Sequence, residues 1–209
     1  MTPAEALGRG LAELGLDPPS DGIRKLSLFI ALLAKWNRTH NLTAIRDPHD
    51  MVSHHLLDSL AVLPHLPPGR LADVGSGGGL PGIPIAILQP ERGVTLNDSN
   101  HKKGAFLRQA VIELDLKAAV HIGRVEDWAP MPRFACIITR GFAALAEFVA
   151  ACRHLIEPGG VLAAMKGLYP EAEIAGLPRG IEVDRVVRLD VPRLDAARHL
   201  VLCRVVGAP

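Results

Sequence analysis

The stretch from Arg70 to Asn100, RLADVGSGGGLPGIPIAILQPERGVTLNDSN, organises the rest of the chain. A short apolar run, Leu71 to Val74, is interrupted by Asp73 and leads into glycines at 75, 77, 78, 79 and 82. An apolar segment follows from Ile83 to Leu88, and a second β-rich run, Gly93 to Leu96, ends on Asp98. The pattern predicts a strand, a glycine turn, a helix and a second strand with a carboxylate at its tip. Glycine suits such a turn because the backbone must take positive φ and approach a ligand with no Cβ in the way. The helix N-terminus that follows offers free N–H groups to an electron-rich ligand. Asp98, nineteen residues past Gly79, stands about where a ribose-binding carboxylate is found at the tip of the second strand. Together these features predict a nucleoside-cofactor site.

Two cofactor classes compete for it. Gly77, Gly79 and Gly82 match G-x-G-x-x-G, the dinucleotide fingerprint, but that match is weak by itself. A dinucleotide site usually follows an uninterrupted apolar strand, whereas Asp73 sits two residues ahead of Gly75. The pattern D-x-G-x-G-x-G over Asp73–Gly79 resembles the first motif of class I S-adenosylmethionine-dependent methyltransferases. That resemblance implies that Asp73 orients the glycine loop and meets the cationic end of the cofactor, often through water. Pro81 and Pro84 fit a first helical turn, where a missing N–H costs nothing.

Working outward, 209 residues suit one domain with a small appendage, and 48% hydrophobic content with 17 prolines indicates a loop-punctuated globule rather than a disordered chain. No apolar run approaches the ~20 residues that span a bilayer. The N-terminus lacks an apolar signal core, so a cytoplasmic location is expected. Cys136, Cys152 and Cys203 are far apart and among apolar neighbours, which argues against a disulfide framework. A net charge of +1 gives no global pull on nucleic acid, so RNA binding must rest on a local patch.

Upstream, residues 3–15 predict a helix with Leu7, Leu11 and Leu14 on one stripe. Ile23 to Trp36 repeats apolar residues at helical spacing until Asn37–Asn41 breaks the pattern. Asp47-Pro48 begins another helix that carries Met51, His55, Leu56 and Leu60 and closes at Pro64. His55 and Asp58, at i and i+3, could share a face as a hydrogen-bonded pair; a metal is the less favoured reading. Residues 1–66 are therefore expected to form a helical cap packed on a core of residues 67–209. Downstream, helices and strands alternate: helix 101–115, strand 118–122, strand 134–139, helix 143–155 and strand 159–165. A weaker helix near 170–177 leads to strands at 181–190 and 198–206. The last two strands are joined only by a loop and should be antiparallel. The expected fold is α/β and Rossmann-like, a mostly parallel seven-stranded sheet ending in an antiparallel hairpin, which favours the methyltransferase arrangement.

Function should collect at strand ends. The third strand is followed by Gly123-Arg124-Val125-Glu126-Asp127-Trp128, which in this fold lies beside an adenine ring. The fourth is followed by Thr139-Arg140-Gly141-Phe142, facing methyl donor and acceptor. An Asn/Asp-Pro-Pro-aromatic motif, common where exocyclic amines are methylated, is missing there. Cys136 sits mid-strand as an apolar filler, so a reactive thiolate is not expected.

Four blocks make the resemblance specific: KWNRTHNLTAIRDPHDMVSHHLLDSL (35–60), LADVGSGGGLPGIPIAI (71–87), VTLNDSNHKKGAFLRQ (94–109) and GRVEDW (123–128), extended by TRGFAAL (139–145) and AMKG (164–167). The chain resembles the bacterial ribosomal RNA small subunit methyltransferase G family, also called glucose-inhibited division protein B, over nearly its whole length to Gly167. The resemblance implies S-adenosylmethionine-dependent methylation of N7 of one guanine in 16S rRNA, position 527 in rRNA numbering. It also implies that Gly75 and Leu80 contact the cofactor and that Val125 and Glu126 flank its adenine. Arg140 would sit near the donor or the target base, positioning rather than acting as a general base. With Asp73, Gly77 and Asp98 these make up the expected cofactor site. Lys102, Lys103, Arg108 and Lys166 lie at or soon after ligand-side strand ends and are candidates for RNA phosphates. The expected partner is 16S rRNA or the small ribosomal subunit, with no membrane, no metal and no obligate protein partner; a monomer is compatible with all of this. Asn97 and Gly141 depart from the apolar residue and the Ala expected at those positions. A methyltransferase of the same fold acting on another RNA or a small molecule, a non-catalytic RNA-binding module, and a nicotinamide-dependent oxidoreductase remain as alternatives.

Overall fold

A computed structural model of the chain describes residues 2–142 and 144–206. Seven strands, β1 (Leu71–Val74), β2 (Val94–Asp98), β3 (Ala119–Ile122), β4 (Phe134–Arg140), β5 (Ile156–Lys166), β6 (Ile181–Arg188) and β7 (His199–Val205), form one sheet in the order β3-β2-β1-β4-β5-β7-β6. β1, β2, β3, β4 and β5 run parallel, and β7 inserts antiparallel between β5 and β6. A mostly parallel seven-stranded sheet with an antiparallel final pair is what the sequence predicts. The reversal of strand order on either side of β1 leaves a crevice at the carboxyl ends of β1 and β4, where ligands of open α/β sheets bind.

Alternation along the strands sorts side chains onto two apolar faces. Ile137 packs with Leu145, Phe148 and Val149 of α7 (Leu145–Cys152), and a register shift between Phe134 and Cys136 puts Phe134 in the same cluster. Cys136 and Ile138 point the other way, towards α5 (Gly82–Leu88), α6 (His101–Glu113) and the N-terminal helices. Leu26, Phe29 and Leu33 of α2 (Gly22–His40), with Leu7 and Leu11 of α1 (Pro3–Glu13), belong to the same continuous cluster as Ile83, Phe106 and Leu107. Thr2 caps α1 through a capping box with Glu5, whose side chain accepts from the Thr2 N–H at 2.9 Å.

Two stretches of the N-terminal region differ from the sequence reading. α2 does not break at Asn37 but runs on to His40. Asn37 is buried, and instead of competing with the helix its amide is satisfied by the loop beyond: Oδ1 accepts from Thr43 N and Nδ2 donates to Thr43 O, both at 2.9 Å. The helix begun by Asp47 and Pro48 is not uniform. A short α3 (Pro48–Met51) opens into a π-helical segment, Val52–Leu57, before α4 (Asp58–Leu60). The fourth strand's helix starts at Leu145, and position 143, where the sequence placed its beginning, lies outside the described residues. The last of the described residues is Val206, so the final three positions of the expected core are likewise outside them.

Candidate active site

β1 ends in a turn that takes positive φ at Gly75, Gly77 and Gly79. Three anchors hold it. Asp73 is fully buried beneath it, and its Oδ2 accepts from Gly82 N at 2.8 Å, tying β1 to the start of α5. Ser76 N donates to Asn97 O at 2.9 Å, and Gly77 N donates to Asp98 Oδ2 at 2.9 Å. Asp98 therefore braces the loop as well as facing the cavity: its Oδ1 also accepts from Asn100 N at 2.8 Å. Each oxygen keeps a second lone pair for a ligand.

A cavity of about 200 Å³ opens beside this turn, walled by Gly75, Asp98, Ser99, Val125, Glu126 and Phe142, among others. Four residues that the sequence assigned to cofactor binding thus meet at one wall: Gly75, Asp98, Val125 and Glu126. A Cβ on Gly75 would meet no protein atom within 4 Å, so this backbone is open towards the cavity. Leu80 is buried in the core cluster, its N–H donating to Ser76 O at 3.1 Å, and is not among the residues that wall this cavity. Burial lifts the Asp73 carboxyl to about 6, against the pull of the Gly82 hydrogen bond and the Arg140 charge. Its Oδ1 is buried with no hydrogen-bond partner among the described residues. Asn97 also has a clear role: its buried Nδ2 donates to Gly123 O at 3.0 Å and His121 O at 3.3 Å, fixing the opposite wall.

A second cavity of about 460 Å³ lies between the N-terminal helices and the ends of β4 and β5, and Phe142 borders both. Its walls include Thr43, His55, Asp58, Arg140, Lys166 and Arg198. Arg140 Nη1 donates to Asp58 Oδ2 and to His54 O, both at 3.1 Å, while Arg198 Nε donates to Asp58 Oδ1 at 2.9 Å. His55 does not pair with Asp58. Its Nδ1 donates to His54 O at 3.0 Å, so Nε2 is left to accept from the Thr43 hydroxyl at 2.7 Å. Burial first, and the nearby Arg140 charge second, lower the His55 imidazole to about 4. The π-helical segment that carries His54 and His55 is a form that occurs disproportionately at functional sites.

The cationic candidates divide. Lys102 and Lys103 stand at the start of α6, whose N-cap Asn100 accepts from both of their N–H groups, close to Asp98. Arg108 is exposed, more than a turn further along α6. Lys166 is not a free cation: its Nζ lies 2.7 Å from Glu173 Oε2, in the wall of the larger cavity. The three thiols are buried and pushed up, Cys136 and Cys152 to about 12 and Cys203 to about 11. Among the described residues no three His, Cys, Asp or Glu side chains gather to hold a metal, and no helix is long and apolar enough to cross a membrane.

Sequence reasoning missed Asp58 and Arg198 as partners, and Thr43 as the partner of His55. The signal was present in block 35–60, which generic methyltransferases lack, but the pairings join residues 82 and 140 positions apart.

Residues 22–201 match the family model described as rRNA small subunit methyltransferase G. The chain is 53% identical over 197 residues to the ribosomal RNA small subunit methyltransferase G of Chromobacterium violaceum, covering 93% of this chain and 94% of that one. It is 52% identical over 202 residues to the protein of the same name from Laribacter hongkongensis, covering 96% and 98%. Among solved structures it is similar to the O-methyltransferase TomG from Streptomyces achromogenes, solved in complex with SAM, with a TM-score of 0.54 at 16% identity over 86% of this chain and 90% of that one.

Proposed function

The chain belongs to the rRNA small subunit methyltransferase G family, and from that premise we propose that it transfers a methyl group from S-adenosylmethionine to N7 of one guanine of 16S rRNA. The observation that carries this reading is the pair of adjoining cavities at the carboxyl ends of the parallel strands, one walled by Gly75 and Asp98 and the other by two arginines on one carboxylate. The residues fit the cofactor. Gly75 leaves backbone exposed to it, Asp98 has lone pairs for ribose hydroxyls, and the orphaned Asp73 Oδ1 offers negative charge beneath the loop. Bound there, S-adenosylmethionine supplies an electrophilic methyl on a sulfonium.

The N7 reading is supported by the commitments of His55, Asp58 and the thiols. His55 is held neutral by burial with its free lone pair committed to Thr43, Asp58 is bonded to two guanidinium groups, and every thiol is buried and protonated. None is placed to take a proton from an acceptor. Guanine N7 needs none, because it attacks through an existing lone pair. The chain's contribution is then alignment and exclusion of water rather than proton transfer. Residues 1–66 supply Thr43, His55 and Asp58 to the acceptor wall, and residues 67–209 supply the cofactor wall. The substrate partner is 16S rRNA, free or in the small subunit, met in the cytoplasm.

Calorimetric titration with S-adenosylmethionine, alongside methyl transfer to 16S rRNA from cells lacking the gene, tests this reading. Gly77→Val should abolish cofactor binding, and Arg140→Ala should abolish transfer with a much smaller loss of binding. Unchanged cofactor affinity in Gly77→Val would place the site elsewhere.

A further inference from the structure

Asp58 is almost fully buried, and its two oxygens are divided between two guanidinium groups from distant parts of the chain. Arg140 ends β4, Arg198 immediately precedes β7, and Asp58 follows the π-helical segment of the N-terminal region. An ion pair kept only for stability has no need of this arrangement. Burying one carboxylate and two cations costs desolvation, and apolar residues of similar volume commonly serve stability as well or better. One negative charge against two positive ones also leaves the wall of the 460 Å³ cavity net positive.

The hydrogen bonds show which atoms remain for a ligand. Arg140 uses Nη1 for both Asp58 and His54 O, whereas Arg198 uses Nε for Asp58 and Nη1 for Ala197 O. Among the described residues the Nη2 group of each arginine is left over, and both side chains keep about a quarter of their surface exposed while Asp58 keeps almost none. A phosphodiester is the group that such planar, fixed N–H donors match.

We propose that Asp58 is a positioning residue for methyl transfer, holding Arg140 and Arg198 as two arms that grip the phosphate-bearing acceptor nucleotide. The inference rests on the reading of RNA as the acceptor. Asp58 touches neither substrate nor cofactor; it acts through the arginines. With the carboxylate gone, two like charges on one wall repel and turn towards solvent, and the base loses its alignment with the donor. An asparagine retains the shape but has one acceptor oxygen, so one arm is released.

The test is single-turnover methyl transfer to 16S rRNA from cells lacking the gene, using full-length Asp58→Asn, Asp58→Ala and Asp58→Glu, with the cofactor titrated in parallel. Asp58→Asn should lose about a hundredfold in the transfer rate, with cofactor affinity within twofold and the thermal midpoint retained, and Asp58→Glu should recover part of the rate. Arg198→Ala should cost at least about tenfold in the unaltered background but under about threefold in Asp58→Asn, because the arms work as a unit. If Asp58→Ala does not fold, Asp58→Asn and the cycle still decide. A rate within threefold of the unaltered protein in Asp58→Asn, an equal loss of cofactor affinity, or fully independent effects of Asp58 and Arg198 would overturn the proposal while the RNA reading stands. If the unaltered protein transfers no methyl to RNA, the functional reading fails and the grip fails with it.

Discussion

Replacing Asp73 by Asn should make the ligand-free protein more stable at neutral pH and worse at binding its cofactor. The carboxyl is fully buried, with Oδ2 on Gly82 N at 2.8 Å and Oδ1 unpartnered. The folded protein lifts it from 3.8 to about 6, and a shift of that size corresponds to about 3 kcal/mol. Because the folded form keeps its proton to higher pH than the unfolded chain, folding takes up a proton between about pH 4 and pH 6, and stability falls as pH rises through that window. Above it the carboxylate is charged in both states and the whole cost is present. Asn has the same shape, accepts from Gly82 through its amide oxygen and never ionises. The variant should therefore gain up to about 3 kcal/mol over the unaltered protein at pH 7.5, the advantage shrinking towards pH 4. His55 acts in the opposite sense. Its imidazole is lowered from 6.5 to about 4, so the unfolded chain binds the extra proton and stability is lost as pH falls through that range, again by about 3 kcal/mol in all. The two slopes oppose each other in the unaltered protein, and Asp73→Asn unmasks that of His55. Denaturant unfolding of both proteins from pH 4 to pH 8 measures the difference directly. A difference that does not vary with pH, or that favours the unaltered protein more as pH rises, would refute the reasoning.

The glycines separate binding from stability. Gly75→Ala, with open space at its Cβ, should weaken cofactor binding while the positive φ costs only about 1–2 kcal/mol, whereas Gly82→Ala would set its Cβ against Leu96 and the Asp73 carboxylate and should lower the thermal midpoint first. Asn97→Leu should release Gly123 and His121, costing about 1–3 kcal/mol in unfolding and weakening cofactor binding at the adenine wall. Lys102→Ala with Lys103→Ala should weaken RNA binding and flatten its salt dependence by up to about two phosphate contacts, measured by filter binding across a salt series.

Much of this architecture was legible because it is written in short-range patterns. The glycine turn, the alternating strands and the loop-joined final pair depend on residues close in sequence, and each strand appeared within a few positions of its expected place. The same holds for Gly75, Asp98, Val125 and Glu126, since strand ends in a parallel sheet meet by topology. What was not legible depends on contacts across the fold. Asn37 looks like a helix breaker until Thr43 folds back to satisfy its amide. Lys166 looks like a free cation until Glu173 arrives from the following helix. Asp58 looked like the partner of His55 because three residues separate them, but each found its partner elsewhere: Asp58 on two arginines, His55 on Thr43.

The central claim is methyl transfer to guanine N7, and chemical mapping of 16S rRNA tests it most directly. Methylation at N7 places a fixed positive charge on the imidazole ring and weakens the glycosidic bond, so mild reduction followed by aniline cleaves the strand at that nucleotide. RNA from cells with the gene should give one cleavage that is absent from cells without it, restored by the unaltered protein and not by Arg140→Ala. Identical cleavage patterns from the two strains would contradict the account.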